Sequence, residues 1–469
     1  MSETEQNEGA SADGGSGAPS LRSFRAGLAF SFFNAMTWQV ALGTPLVLLA
    51  EQLGATAFQV GLLYSFVFLM TPVQVLSTAL LPRFGFKRVM LAGWGVRSLF
   101  LVPPILLALT DLDDPQPWKI RVLLLSMFLF CLLRAVGNAA FVPWLYSILP
   151  EKARGRYFAN DQIFAGIAGL GTLLTASLLF FYLSEASAFF WQFSLALLGA
   201  LLCWVALSRL ADGPRPRTIG LARIFRDTPG FCFSPGRFRQ FLWLSVVFAL
   251  CSAPIPPFCA YYLKSMTPLD PAQIILFTMA QFAGAIVCAL LIRGIVDRFG
   301  ARPFLRLAVC FYITVAAVWL VYLQVDGGWI WGLVLTYFIL GLGAACWVNG
   351  SLNFLPTMMT EEDRPLMVSI FGAVTAFVAG LSPIVWGFFL KETDQGVGMN
   401  IAGFKAFFVF VIVIQLFLFF RLSRLRQEGV EEGLLFLGSG ASLRPTRAFS
   451  FLINLVLPSD EKQEDREGK

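Results

Sequence analysis

The 469-residue sequence contains no histidine, and only 14% of its residues are charged. Without histidine the chain lacks the commonest zinc ligand and the usual general base near neutral pH. Its eight cysteines form no Cys-x-x-Cys pair, and nearly all of them fall in apolar runs. We interpret them as small apolar residues rather than as a disulfide framework or a metal site, and we expect no metal and no cofactor.

Long apolar segments are abundant instead. Hydrophobic residues make up 57% of the chain, and 48 residues are phenylalanine. Soluble domains are usually about a quarter charged, so the composition argues against a soluble multidomain protein. Apolar runs of about 20 residues recur between Phe24 and Leu422, and such a run crosses about 30 Å of hydrocarbon as a helix. The composition therefore predicts an all-α integral membrane protein.

The apolar runs are interrupted near the middle of the chain. Residues 209–239 are rich in Arg, Pro and Gly and separate six predicted spans from six others. We therefore expect one six-helix bundle over residues 22–208 and a second over residues 240–425. The predicted spans cover residues 24–50, 58–81, 89–109, 120–147, 157–182, 187–208, 240–263, 272–294, 303–324, 329–355, 366–390 and 401–422.

Charge alternates between the predicted loops. One set of loops is basic, and the alternate loops contain acidic residues with few cations. The positive-inside rule then places both termini and the central loop in the cytoplasm. Residues 1–21 form a first polar tail and residues 426–469 a second cytoplasmic tail, and disorder is expected for 1–21 and for the charged part after Pro458. Within the second tail, the apolar segment at 447–457 is too short to span; it either lies on the cytoplasmic leaflet as an interfacial helix or belongs to the disordered tail.

Two of the basic loops match each other. Arg83 and Arg298 each begin an Arg-Phe-Gly sequence, and the two sequences lie 215 residues apart, close to half the chain. Each loop joins the second apolar segment of a half to the third. A repeat of this kind indicates a duplicated membrane bundle, which is how many secondary transporters are built.

With these two loops the chain resembles the major facilitator superfamily over residues 22–425. That family carries the pattern G-x-x-x-D-R-x-G-R-[RK] between its second and third spans. The resemblance implies twelve transmembrane helices in two pseudo-symmetric six-helix bundles, alternating access, and a lock on the cytoplasmic side formed by these loops. In the first loop Pro82 replaces the aspartate of the pattern. The matching polar residues are Arg83, Lys87 and Arg88 in the first loop and Asp297, Arg298 and Arg302 in the second.

Span four also resembles part of the family. The sequence from Arg134 to Ala140 is similar to a motif common in proton-linked drug exporters. Those exporters carry a G-P-x-x-G-G motif in span five, whereas here Gly166, Gly169 and Gly171 are not followed by proline. A drug exporter is therefore an alternative rather than the first interpretation.

Arg134 is the sharpest candidate for substrate binding. It lies about 14 residues into span four, roughly 21 Å along the helix, and so near the middle of the membrane. A charge there costs about 3 kcal/mol on insertion scales and tends to mark a solute pathway. We interpret Arg134 as an anchor for a carboxylate or phosphate; the alternative is a packing residue that donates to backbone carbonyls. Asn138 shares its helix face one turn later.

Neutral amides and aromatic residues supply further candidates. Such groups can bind hydroxyl-rich solutes, but amides also join helices through hydrogen bonds. Arg97 in span three is interpreted as a packing residue that could snorkel towards the cytoplasm. The additional substrate-binding candidates are Asn34, Trp38 and Gln39 in span one, Gln281 in span eight, and Trp347, Asn349 and Asn353 in span ten.

Helix-weakening residues occur at comparable places in spans one and seven. Broken helices in corresponding positions of two halves point to the transport path. A proline-terminated helix near the outer surface is an equal alternative for span seven. The gating candidates are Gly43 and Pro45 in span one and Pro254, Pro256 and Pro257 in span seven.

No acidic residue lies clearly at mid-membrane. Asp161 and Glu51 lie near span ends and are the weak candidates for coupling to a proton or sodium ion. Uniport and proton movement linked to the arginine and the substrate also remain open.

The sequence thus predicts a secondary or facilitative transporter, not an enzyme, that moves a small polar or anionic organic solute. We expect a monomer in a bacterial inner membrane with no nucleic-acid partner. A membrane-bound enzyme is disfavoured because histidine is absent and the acids are scattered. A transporter-like sensor or partner subunit without transport activity is the remaining alternative.

Overall fold

The computed structural model describes residues 21–112, 114, 116–148, 151–213, 226, 229–292, 301–324, 330–358, 364–390 and 400–424. Over these ranges the secondary structure is helical and contains no strand. Twelve helical stretches of this described part are long and apolar enough to cross a membrane. The predicted all-α membrane fold with twelve spans is confirmed.

Eight spans are each built on one continuous helix. Their ends agree with the predicted spans to within a few residues, except that the helix of span five begins six residues earlier because polar residues continue the helix before the apolar run. These helices are Pro117–Ile148, Glu151–Tyr182, Glu185–Ser208, Pro271–Ile292, Arg302–Tyr322, Ile330–Phe354, Arg364–Leu390 and Ile401–Ser423, for spans four, five, six, eight, nine, ten, eleven and twelve.

The other four spans consist of shorter helices in series. A proline lies at the start of many of the later pieces, because proline lacks the N–H group that would continue the helical bonding of the previous piece. The pieces are Leu21–Ala41 and Thr44–Gln52 in span one; Ala57–Leu69, Thr71–Ser77, Thr78–Leu80 and Leu81–Phe84 in span two; Phe86–Ser98, Leu99–Leu101 and Val102–Ala108 in span three; and Arg237–Ser252 and Ile255–Met266 in span seven.

The breaks in spans one and seven lie where the sequence predicted weak helix. Span one is interrupted between Ala41 and Thr44, and Gly43 precedes the second helix. A Cβ atom added to Gly43 would lie 2.2 Å from the carbonyl oxygen of Gln39, so only glycine fits this turn. Span seven is interrupted at Pro254. The helix breaks are observed; their role in gating stays a prediction.

The first six spans pack against the last six mainly at one end of the bundle, opposite to Leu21 and Ser423. We call this the closed end, and the other the terminal end. Thr44 and Thr278 share a hydroxyl–hydroxyl hydrogen bond of 2.6 Å. The Tyr261 hydroxyl donates to the Ala55 carbonyl at 2.9 Å. These bonds join spans one and eight, and span seven to the loop after span one.

Spans two and eleven approach each other through glycine. A Cβ atom added to Gly61 would lie 2.3 Å from the Pro383 carbonyl oxygen, and one added to Gly387 would lie 2.8 Å from the Phe58 Cα atom. Both distances are shorter than any real Cβ contact. The two backbones are therefore in direct contact near the closed end, which leaves no space there between spans two and eleven.

The first of the two matching loops is shorter than predicted. Helix Leu81–Phe84 leads through Gly85, whose φ is +80°, directly into helix Phe86–Ser98. Glycine adopts this left-handed conformation without strain, which lets the chain reverse within one residue. In the second loop Asp297 and Arg298 lie outside the described residues, as does the predicted interfacial segment 447–457.

Candidate functional site

Arg134 lies halfway along span four and is half-buried. Its guanidinium carbon is 4.5 Å from the centroid of the Trp38 ring in span one. A desolvated cation over tryptophan is stabilised by the negative face of the ring. Among the described residues, no carboxylate forms an ion pair with Arg134. The cation is therefore held by an aromatic face and retains donors for another partner.

Arg97 of span three lies deeper, with only 1% of its surface exposed. Its Nη2 atom donates to the Asn34 Oδ1 atom at 3.0 Å. Its guanidinium carbon lies 4.1 Å from the Trp94 ring and 5.0 Å from the Phe130 ring. Arg97 therefore does not snorkel towards the cytoplasm; it packs inside the bundle, where an amide and two aromatic faces stabilise its charge.

Asn138 and Gln74 complete this region. The Asn138 Nδ2 atom donates to the Gln74 Oε1 atom at 3.0 Å and joins span four to span two. Arg97 and Arg134 are close enough to repel each other electrostatically. We use the name polar cluster for the group that spans one to four bring together: Asn34, Trp38, Gln74, Arg97, Arg134 and Asn138.

Gln39 and Gln281 lie at helix contacts. Gln39 is buried, and its Nε2 atom would lie 3.0 Å from a Cβ atom added to Gly169, so it packs span one against span five. The backbone carbonyl oxygen of Gln281 in span eight lies against Gly341 of span ten. A Cβ atom added to Gly341 would lie only 1.8 Å from that oxygen, so the two helices are in close contact there.

The span-ten candidates form contacts of their own. The Trp347 ring stacks on Phe248 with the centroids 3.5 Å apart. Asn349 donates to the Ala345 carbonyl at 2.8 Å, and the exposed Asn353 donates to the Asn349 carbonyl at 2.8 Å. These bonds lie within one helix, and no hydrogen bond or ring contact in the described structure joins these residues to the polar cluster.

Two of the predicted lock residues form equivalent bonds in the two halves. The Lys87 ammonium donates to the Leu210 carbonyl at 2.7 Å and ties the start of span three to the end of span six. The Arg302 guanidinium donates to the Ser423 carbonyl and ties the start of span nine to the end of span twelve. Arg83 and Arg88 are exposed. The paired bonds reflect the duplication that the matching loops indicated.

Asp161, the first coupling candidate, is half-buried on the helix of span five, two residues before the stretch Ile163–Tyr182 that is apolar enough to cross the membrane. It accepts a hydrogen bond from the Ser31 hydroxyl of span one. Burial raises the pKa of this carboxyl, and the hydrogen bond from Ser31 lowers it in part. Tyr157 lies close enough to feel its charge. Compared with water, this environment favours the protonated, neutral form of the Asp161 carboxyl.

Glu51, the second coupling candidate, lies near the closed end beside two charged residues that the sequence did not single out. The Lys264 ammonium forms an ion pair with Glu185 at 3.0 Å, which joins span seven to span six. Lys264 and Glu185 both interact electrostatically with Glu51. No motif marks this pair, because its members are 79 residues apart and meet only through the packing of the two halves.

Comparison with known proteins agrees with this architecture. A sequence model described as Major Facilitator Superfamily matches residues 27–269, more than half of the chain. No curated protein matches the chain. The chain is similar to many solved structures. Each of those described next is only about 15% identical or less, so the similarity shows the fold alone.

Three of these structures illustrate the range. A variant of the nucleoside transporter NupG is 14% identical, with a TM-score of 0.69 over 85% of this chain and 98% of that one. The peptide transporter POT in complex with alafosfalin is 15% identical, with a TM-score of 0.66 over 88% and 96%. A bacterial homologue of the iron transporter ferroportin, in its inward-facing state, is 14% identical, with a TM-score of 0.65 over 86% and 98%.

Proposed function

Because the chain belongs to the major facilitator superfamily, we propose that it moves a small polar or anionic organic solute across a membrane by alternating access. Arg134 is the anchor for the anionic or electron-rich group of that solute. Trp38 supports the cation from span one, and Asn138 with Gln74 provides neutral hydrogen-bonding groups beside it.

The lack of a hydrogen-bond or ion-pair partner for Arg134 within the described part of the chain carries this proposal. A guanidinium at mid-membrane depth is unfavourable by about 3 kcal/mol unless it has a partner. A packing arginine would donate to helix carbonyls or to a carboxylate. Arg134 does neither among the described residues, and its one described contact is the Trp38 ring. A carboxylate or phosphate would accept two parallel hydrogen bonds from the free side of the fork.

Arg97 strengthens the preference for an anion. It adds a second positive charge within electrostatic range of Arg134. The described part of the polar cluster contains no acidic side chain. A cationic solute would meet two guanidinium groups there, so a cationic drug is the less favoured cargo.

Alternating access requires that the closed end opens. Among the described residues, three neutral hydrogen bonds, one ion pair and glycine-mediated packing join the halves at that end. None of the three hydrogen bonds leaves a buried charge behind when it breaks. The helix breaks at Gly43 and Pro254 would let the outer pieces of spans one and seven move separately. With the basic loops in the cytoplasm, the closed end would face the outside of a bacterial inner membrane.

Asp161 is the proposed proton site if transport is coupled. Its half-buried carboxyl bridges spans five and one through Ser31. A change in its charge would therefore alter a contact between two helices that lie next to the polar cluster. Glu51, beside Lys264 at the closed end, is the second candidate.

A ligand screen by thermal stabilisation tests the anchor. The purified protein is heated with organic acids, sugars, nucleosides, short peptides and cationic drugs. We expect an organic anion to raise the melting temperature of the wild type, to do so weakly with Arg134→Lys, and to have no effect on Arg134→Ala. Arg121→Ala is the matched control, because Arg121 is an exposed arginine on the same helix.

The same ligand is then tested for uptake into proteoliposomes. Uptake that disappears with Arg134→Ala and persists with Arg121→Ala supports the proposal. Stabilisation by neutral sugars that survives Arg134→Ala would refute the anchor and move the site to Asn349, Asn353 and the neighbouring aromatic rings. Binding without uptake would instead favour a sensor.

A further inference from the structure

A groove of about 440 Å³ lies outside the polar cluster, on the flank of the bundle between spans seven and twelve. It is at the terminal end, where span seven begins and span twelve ends. Span seven contributes Arg239, Gln240 and Trp243 to its wall, and span twelve contributes Phe417, Arg421 and Arg424.

The wall of the groove is strongly basic. Three of the described residues that line it are arginines, and none of these described lining residues is acidic. Arg421 and Arg424 are exposed, one turn apart at the end of span twelve. Arg239 is oriented by a hydrogen bond of 2.9 Å from its Nη1 atom to the Phe233 carbonyl. Three arginines that line one groove, with no carboxylate among its described lining residues, form a site for an anion with several oxygen acceptors, such as a phosphate.

The groove also lies at the depth of a membrane interface. The Trp243 ring is 42% exposed, and the Phe233 ring beside it is 66% exposed, with centroids 6.1 Å apart. Exposed tryptophan is typical of the zone between headgroups and acyl chains. Deeper in the groove the lining becomes apolar, at Val247 and Phe417. The groove is therefore cationic at the terminal end of the bundle and apolar further into the membrane.

We propose that this groove binds an anionic phospholipid. Its phosphate accepts hydrogen bonds from Arg239, Arg421 and Arg424, and an acyl chain lies along Val247 and Phe417. A free phosphate ion would match the arginines but would leave the apolar part of the groove unfilled. The site is separate from the polar cluster and does not depend on which solute the protein carries.

Native mass spectrometry tests the lipid site. Detergent-solubilised protein is titrated with phosphatidylglycerol and, separately, with phosphatidylcholine. We expect phosphatidylglycerol to bind more tightly than phosphatidylcholine. Each arginine-to-glutamine change should weaken phosphatidylglycerol binding about fivefold, since a basic residue near an anionic lipid surface contributes about that factor. The variants are Arg239→Gln, Arg421→Gln, Arg424→Gln and the triple variant.

Arg209→Gln is the control, because Arg209 is an exposed arginine at the same end of the bundle, after span six. It should bind phosphatidylglycerol like the wild type. Equal binding of the two lipids, or unchanged binding by a folded triple variant, would overturn the proposal. Inorganic phosphate that displaces the lipid at millimolar concentration, and alone gives the same thermal stabilisation, would show an ion site rather than a lipid site and would also overturn it.

Discussion

The Arg134 guanidinium carbon lies 4.5 Å from the centre of the Trp38 ring, so the cation at the middle of span four rests on an aromatic face from span one. The contact links two spans of the polar cluster and holds the guanidinium in one place. An arginine that is held in place in this way is preorganised for an acceptor, which reduces the entropy lost on binding.

Replacing Trp38 should therefore weaken ligand binding without removing it. A desolvated cation–π contact contributes about 2 kcal/mol, so Trp38→Leu is expected to raise the Kd of the stabilising anion by up to about thirtyfold. Trp38→Phe, which keeps a weaker ring face, should have a smaller effect. The control is Trp191→Leu, because that ring is 51% exposed on span six. Titration calorimetry measures each Kd; equal values for wild type and Trp38→Leu would contradict the prediction.

Asn34 is expected to be more important for stability than other amides, because it is the hydrogen-bond partner of the buried Arg97. Asn34→Leu leaves a buried charge without that partner, a change that typically destabilises by about 3 kcal/mol or more. The double variant Asn34→Leu/Arg97→Met removes both groups and should recover most of the loss. Asn353→Leu, at an exposed amide bonded to its own helix, is the control.

Unfolding in a denaturing detergent measures these differences. If Asn34→Leu and Asn353→Leu unfold alike, or if the double variant is the least stable of all, Arg97 does not depend on Asn34 for its burial.

Hydropathy alone was sufficient to predict the twelve spans, because a helix in lipid must be apolar over a length set by the bilayer. The position of Arg134 near the middle of span four could be predicted for the same reason, whereas its role in binding stays a prediction. The surroundings of Arg97 could not be predicted from depth. Its partner Asn34 is 63 residues away, and which way a side chain points inside a bundle depends on helix rotation, which an apolar sequence specifies weakly.

The ion pair between Glu185 and Lys264 escaped prediction for a related reason. Both residues lie at span ends, where isolated charges are common and carry no signal. The close contact of spans two and eleven is also invisible in sequence, since Gly61 and Gly387 are two among 41 glycines. Pairings between the halves arise only when both bundles are folded and packed together.

Gly387 should be required for full closure. An added Cβ atom would lie 2.8 Å from the backbone of Phe58, which cannot give way as a flexible side chain could. Gly387→Ala is therefore expected to favour opening of the closed end and to slow uptake while ligand binding at Arg134 persists. Gly372→Ala on the same helix, where nothing lies within 4 Å of an added Cβ atom, should transport normally. Uptake by Gly387→Ala at the wild-type rate would disprove this role.

Breaking the ion pair between Lys264 and Glu185 should also favour opening of the closed end, but by less than Gly387→Ala does. The Lys264 and Glu185 side chains are 12% and 39% exposed. Because the Glu185 carboxylate stays in contact with water, the pair should contribute no more than about 1 kcal/mol, so Lys264→Gln should change the ratio of the two states at most about fivefold. The charge-reversed double variant Glu185→Lys/Lys264→Glu should restore the wild-type ratio. Electron–electron distance measurements between labels on Ser187→Cys and Met266→Cys report the opening; an unchanged distribution would assign the pair no role in closure.

Asp161 should make stability depend on pH in a direction opposite to that of a salt-bridged carboxylate. Burial raises its pKa above the ordinary 3.8, so folding favours the protonated form. That stabilisation is fully present below about pH 4 and is lost as the pH rises through the folded-state pKa.

Asp161→Asn stays neutral and should melt at a higher temperature than the wild type near pH 7, with a difference that shrinks towards pH 4. Ser31→Ala removes the hydrogen bond that lowers the pKa, so the transition should move to higher pH. Asp114→Asn, at an exposed aspartate, is the control. The test is the melting temperature of each protein between pH 4 and pH 7. If the difference between Asp161→Asn and the wild type is the same at every pH, the pKa of this carboxyl does not differ between the folded and unfolded states, and the prediction is wrong.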